Sequence, residues 1–216
     1  MIFSETNFLP KDTFTELCNR TTYLRKLSKF EQGKKEITLE EKELNLGSNH
    51  GVYNTEHSLQ EALRFRFWCN GDDVFEETAN FFGPHIRNVL DHTRNYLIER
   101  GWPNIKLSNV WFQYGDPKTE MHRHSDGKIH GAEWNNCFTS MIFSHPEEWN
   151  DEWGGVFSIA PVPTNLSDQI NETVESFSPQ PNSFVIWNRD HPHWMTPIVR
   201  DDIPIRQFIG MSWYEK

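Results

Sequence analysis

Cysteine is scarce. The three in 216 residues, Cys18, Cys69 and Cys137, are too few and too scattered for a disulfide framework. Such a set reads as reduced thiols. The stretch from Met1 to Asp12 lacks the basic start and apolar core of a secretory signal, so a cytoplasmic location is expected. No apolar run approaches the roughly 20 residues that span a bilayer, and no membrane partner is expected. Positive charge is also in deficit. Lys and Arg total 21 against 31 Asp and Glu, a net charge of -10, which disfavours a phosphate backbone as ligand. No nucleic acid is expected. Internal repeats are absent. With no secretory signal, the triplets that start at Asn19, Asn165 and Asn171 read as chance glycosylation matches.

Aromatics are plentiful: nine Trp and sixteen Phe can build a sizeable core in one domain of 1–216. Asp12 or Thr13 is placed to cap a short helix through Phe14–Cys18. The highly charged stretch 27–54 is expected as a solvated insertion, loop or surface helix. Ser58–Trp68 reads two ways. Ser58 and Glu61 form a capping box, whereas the later RFRFW alternates like a strand. Asp73–Gly101 carries helical periodicity, with a break at Gly83-Pro84. Beyond Gly101 the grammar changes. Asn109–Tyr114, Cys137–Ser144, Gly154–Ala160, Ser183–Trp187 and Ile205–Trp213 are short apolar runs separated by turn signals. They predict an antiparallel double-sheet barrel, mainly β with supporting helices (α+β).

Two stretches carry chemistry. Tyr114–Asp126 contains His124-Ser125-Asp126, and Asp190–Tyr214 contains a distant histidine, at 191 or 193. Two histidines and one carboxylate form the set that holds non-haem Fe(II) on one face and leaves the other open. On an extended segment His124 and Asp126 point the same way, because side chains alternate with period two. His122, His130 and His145 are rivals for the first histidine, and Asp116 and Glu120 for the carboxylate. His122 has no carboxylate two residues on. Arg206 shares one strand face with Phe208, Gly210 and Ser212. An arginine inside a barrel needs an anionic partner. Arg200 competes for that place, beside Asp201 and Asp202 in a turn.

From Asn109 to Tyr214 the chain resembles the Fe(II)/2-oxoglutarate-dependent dioxygenases, in their prolyl 4-hydroxylase-like branch. The resemblance lies in Tyr114 ten residues before His124, the Gly154-Gly155 pair opening a strand, His193 four residues before Pro197, and the last strand from Arg206 to Trp213-Tyr214. It implies a double-stranded β-helix, a jelly-roll or cupin-like barrel at 109–216. The N-terminal helices of 1–108 would pack on its major sheet as support. It implies iron on His124, Asp126 and His193, and 2-oxoglutarate with its far carboxylate on Arg206. Tyr114 would hydrogen-bond the cosubstrate. Phe143 stands where the family often has a second tyrosine, and Thr139 is expected to compensate. The remaining reagents are O2 and, as reductant, ascorbate. Hydroxylation of an unactivated C–H bond would give succinate and CO2 as co-products, and the presence of Asp126 favours that outcome over halogenation. The expected partner is a peptide or protein containing proline. The alternatives are a free amino acid or other small molecule as substrate, or a non-catalytic metal-binding barrel.

Overall fold

A computed structural model describes residues 2–31, 34–37, 50–54, 62–69, 72–115, 120–129, 132–162 and 174–216, and among these residues thirteen strands and three α-helices organise the fold. Strand β1 (Ile2–Glu5) and helix α1 (Lys11–Leu27) come first. Four strands follow: β2 (Ser28–Glu31), β3 (Lys34–Ile37), β4 (His50–Asn54) and β5 (Ala62–Cys69). Helices α2 (Phe75–Phe82) and α3 (Pro84–Glu99) lead into β6 (Lys106–Gly115) and β7 (Met121–His124). The remaining strands are β8 (Cys137–Phe143), β9 (Phe157–Ile159), β10 (Glu175–Phe177), β11 (Phe184–Asn188), β12 (His193–Met195) and β13 (Arg206–Tyr214).

The strands form two larger antiparallel sheets. One runs β1-β11-β8-β13-β6-β5-β4 and the other β10-β9-β12-β7, with β2 and β3 as a separate hairpin. Period-two alternation explains how the large sheet serves two cores. Phe112 on β6, Ile142 on β8, Ile186 on β11 and Ile209 on β13 face α1, α2 and α3 in one apolar cluster. Their neighbours Trp111, Met141, Trp187 and Phe208 face the small sheet, against Phe157, Ile159 and Met195. Central strands with both faces covered therefore show no exposed polar face; all seven residues of β8 are buried, Thr139 and Ser140 among them. Each fully buried Phe, Leu or Ile contributes roughly 1.5–3 kcal/mol.

The helices follow from spacing. Phe75, Thr78, Ala79 and Phe82 make the buried stripe of α2, and Ile86, Val89, Leu90, Thr93 and Leu97 that of α3. Gly83 separates the two helices at φ 84°, and Pro84 starts the second, where its missing N–H costs nothing. Asp73 ties this layer to the sheet: Oδ1 accepts from Phe75 and Leu107 N–H, and Oδ2 from Arg94.

The structure departs from the sequence expectations in the N-terminal half. Within 27–54 the described residues include strands, not a loop or surface helix, and β4 pairs with β5 at the edge of the large sheet. The alternating RFRFW lies in β5, so the strand alternative holds there; the capping box of Ser58 and Glu61 falls outside the described residues. The first 108 residues thus supply β1, β4 and β5 to the large sheet as well as helices. Helix α1 is longer than the short helix expected at its start.

Candidate metal centre

His124 ends β7, His193 begins β12, and the two are register partners. The register between these strands shifts just after His193, an irregularity of the kind that re-aims side chains beside sites. Asp126 follows β7, and its N–H donates to Arg189 O. One ligand atom from each of His124, Asp126 and His193 lies within 4.8 Å of the others. His124 Nε2 is 4.0 Å from Asp126 Oδ1, and His193 Nε2 is 3.9 Å from Asp126 Oδ2.

Backbone carbonyls fix both tautomers. His124 Nδ1 lies 2.7 Å from His122 O and His193 Nδ1 3.0 Å from His191 O. A carbonyl only accepts, so each Nδ1 carries the hydrogen and each Nε2 presents its lone pair. Burial pushes His193 down to about 4, against a weaker upward pull from Asp126, so its ring is neutral and ready to ligate. Asp126 is the converse. Burial raises its carboxyl, but Arg189, His193, the Thr139 hydroxyl and His124 together hold it below the usual carboxylate range.

The carboxylate is gripped from behind. Thr139 on β8 donates its hydroxyl to Asp126 Oδ2 at 2.8 Å. Arg189 NH1 sits 3.6 Å from the same oxygen and donates to Thr139 Oγ1 and to Ser212 Oγ, while its Nε donates to Gly127 O. Thr139 was expected on the cosubstrate; its hydroxyl is instead committed to Asp126. Outer partners of this kind set ligand orientation and charge, and Thr139→Val is expected to weaken metal binding about 10–100-fold without unfolding the protein. Competition with a fluorescent chelator measures it; unchanged affinity would show that Arg189 alone orients the carboxylate.

Tyr114 requires a larger correction. It faces the helices, not the site, and donates its hydroxyl to Thr21 O on α1 at 2.6 Å. The residues of β6 that line the site are Asn109, Trp111 and Gln113, one step out of phase. Those three, with Arg189 and Ser212, are site residues that sequence reasoning did not select. Period two through Trp111 would have found the first group. Arg189 carries no signal in the sequence, where it reads as a turn residue. Together with the metal triangle they border a cavity of about 90 Å³, whose deeper wall includes Met141, Phe157, Trp187, Met195 and Phe208.

Arg206 begins β13 on the face that Phe208 and Ser212 share with the cavity. It is fully buried, and burial lowers its guanidinium to about 10. NH1 donates to Gly155 O at 2.9 Å, whereas Nε and NH2 are buried without a partner. Two orphaned donors on a buried cation fit an anion such as the far carboxylate of a dicarboxylic acid. Its rival Arg200 is bound to Asp202 on the surface, with 52% of its side chain exposed.

Glycine makes room for that guanidinium. At Gly155 a Cβ would stand 2.8 Å from Arg206 NH1, on a backbone at φ 71°. Gly155→Ala is therefore expected to destabilise the fold by about 1–3 kcal/mol and to displace the guanidinium. A urea midpoint and the KM for 2-oxoglutarate check both effects; a fall in stability with unchanged KM would separate the glycine from the cosubstrate.

The buried histidines also set an acid limit. Burial holds both His193 and His145 at about 4 in the fold, while the unfolded chain titrates near 6.5. Between those values the unfolded state binds more protons, so stability falls as pH drops from about 6.5 towards about 4. Each group contributes on the order of 3 kcal/mol across that window. Urea midpoints of metal-free protein against pH measure the slope, and His145→Phe should flatten part of it. A flat profile in the parent protein would contradict the assignment.

The wider comparisons agree with this chemistry. Residues 110–215 match the 2OG-Fe(II) oxygenase superfamily, and the chain belongs to it. It is a 2-oxoglutarate-dependent non-haem iron dioxygenase, with Fe(II) and 2-oxoglutarate as its reagents. Among solved structures, a prolyl-4-hydroxylase from Pseudomonas putida superposes with TM-score 0.58 at 13% identity, over 100% of this chain and 92% of that one. A prolyl hydroxylase from Trichoplax adhaerens, in complex with a hypoxia inducible factor oxygen degradation domain peptide fragment, gives 0.59 at 17% identity, over 99% and 83%. The epimerase SnoN from nogalamycin biosynthesis, with Fe3+, alpha ketoglutarate and nogalamycin RO, gives 0.67 at 9% identity, over 99% and 78%. Identities this low speak for the fold alone. Comparison with curated protein sequences finds none that matches.

Proposed function

We propose that this dioxygenase hydroxylates an unactivated C–H bond in a peptidyl proline, on a double-stranded β-helix built from its two larger sheets. The observation that carries the substrate reading is the depth of the metal triangle. His193 keeps only 3% of its side chain exposed, but Asp126 keeps 23% and His124 44%. A residue projecting from a peptide can reach such a shallow centre while the rest of the peptide stays outside. Two prolyl hydroxylases share the fold, and one of them is in complex with a peptide fragment. The free, buried thiols of Cys18 and Cys137 support a reducing, cytoplasmic setting.

O2 would be the oxidant at the bound iron, with one oxygen atom going to the hydroxyl and the other to 2-oxoglutarate, which would leave as succinate and CO2. The chain holds and orients. His124 and His193 offer Nε2, Asp126 a carboxylate oxygen kept ionised by Arg189, and Arg206 the charge for the far end of the dicarboxylate. Trp111, Phe157, Trp187 and Met195 exclude water from the inner wall.

The second reading, a small-molecule substrate, is favoured by the higher TM-score with SnoN. Succinate release against a panel of proline peptides, free amino acids and polycyclic small molecules decides between them. Release stimulated by proline peptides alone is expected; stimulation only by free small molecules would overturn the peptide reading.

A further inference from the structure

His145 is a buried titratable group with no part in the chemistry above. It lies just past β8 and is 1% exposed. Phe143 pairs with Phe208, and Ser144 N–H donates to Gln207 O. The same antiparallel register sets His145 opposite Arg206. Period two puts both side chains on the face of Phe143 and Phe208.

The ring's state follows from its contacts. Nδ1 lies 3.4 Å from Gln207 O, and Pro179 offers a second backbone acceptor. Carbonyls cannot donate, so Nδ1 carries the hydrogen. In the neutral ring Nε2 is then an acceptor, and it is buried without a partner. Arg206 Nε and NH2 share that condition. Trp149 joins the two: its ring is 5.3 Å from the imidazole, and both Trp149 and the guanidinium reach the Cβ position at Gly155. The groups that face His145 are Arg206 and Gln207 O on β13, Pro179 O from the turn before β11, Trp149, and Phe143 on its own strand. Arg206 is the charged one.

We propose that His145 is a second holding group for the far carboxylate of 2-oxoglutarate, opposite Arg206, and that it takes up one proton as that carboxylate binds. The inference rests on the reading of Arg206 given above. Burial chiefly keeps the ring neutral, and the field of the guanidinium beside it adds to that. A carboxylate brought between them cancels that field and adds an acceptor for Nε2–H. The proton comes from solvent, no covalent bond breaks, and the carboxylate then faces donors on two adjacent strands.

Linkage gives the sign. If the complex holds a proton that the free protein lacks, affinity for 2-oxoglutarate rises as pH falls, by up to about tenfold per unit. The test is calorimetric titration of the Fe(II)-loaded protein with 2-oxoglutarate under anaerobic conditions, between about pH 8 and about pH 5.5, in buffers of different ionisation enthalpy. Parent protein is expected to absorb up to one proton per 2-oxoglutarate bound, with an affinity that climbs towards acid. His145→Asn is expected to absorb none and to show a flat profile. No proton uptake by the parent protein overturns the inference without need of a variant. So does the same uptake and slope in His145→Asn. Arg206→Met distinguishes the two readings: if it binds 2-oxoglutarate as tightly as the parent, the arginine assignment fails. Tryptophan emission gives a second readout, because a protonated imidazole quenches the indole beside it. Its acid midpoint should move up when 2-oxoglutarate is added.

Discussion

Arg206→Met is expected to make the cofactor-free protein more stable and nearly unable to bind 2-oxoglutarate. Both effects come from one circumstance. The guanidinium has no exposure to solvent, and two of its nitrogens lack partners. Burial alone lowers it to about 10, a measure of how poorly the site compensates the charge. Replacing an uncompensated buried ion with an apolar side chain of similar length typically gains about 1–4 kcal/mol. The urea midpoint of the cofactor-free variant should therefore rise. Binding goes the other way. Removing one side of a buried, charge-assisted pair costs about 2–5 kcal/mol, or roughly 30- to 5,000-fold in affinity. Added 2-oxoglutarate should raise the Tm of the parent protein and leave that of the variant unchanged. A variant still stabilised by 2-oxoglutarate would remove Arg206 from the site. One that is less stable when cofactor-free would mean that Gly155 O already satisfies the charge.

Asp126→Ala is expected to abolish turnover and to reduce metal affinity by more than about 100-fold, beyond the range for loss of an outer partner. Asp126 is the carboxylate of the triangle, and four groups converge on it: Thr139, Arg189, His124 and His193. Without it, Arg189 stands half-buried beside two histidines and loses that carboxylate. Asp126→Asn separates charge from shape. The amide can still accept from Thr139, yet it offers the metal no negative oxygen. Its fold should survive while iron retention fails. Because the folded Asp126 titrates below the ordinary carboxylate range, its contribution to stability is present above the unfolded value. It is lost as pH falls through the folded one. Iron content after gel filtration and succinate release measure the outcome. Stoichiometric iron with normal turnover in either variant would move the centre elsewhere.

The contrast between His124 and Tyr114 explains how much could be read in advance. His124 and Asp126 are two apart, so their common side depends only on local geometry. The expectation for Tyr114 rests on its distance from His124 along the sequence, across residues 116–119, which lie outside the described part. A single step of register sends a side chain through the sheet, and Tyr114 is on the helix face, bonded to Thr21 O. Thr139 lines the cavity, but its hydroxyl serves Asp126 rather than the expected cosubstrate, because Arg189 and Ser212 converge there. Helices α2 and α3 were readable from spacing and the Gly83-Pro84 break, whereas the strand β4 was hidden in a charged run. An edge strand needs backbone pairing more than an apolar pattern, and β4 finds its partner in β5.

The amino-acid order alone set the inventory: which strands alternate, where a helix must stop, and a His-x-Asp pair awaiting one distant histidine. Those features act within a few residues, where dihedral preferences and side-chain period decide the outcome. Tertiary structure decided what long-range register controls. It set His193 beside His124, brought Arg189 behind the carboxylate, turned Tyr114 away, and aligned His145 with Arg206. Each of these joins segments far apart in the chain, and only the pairing of whole strands fixes which atoms meet.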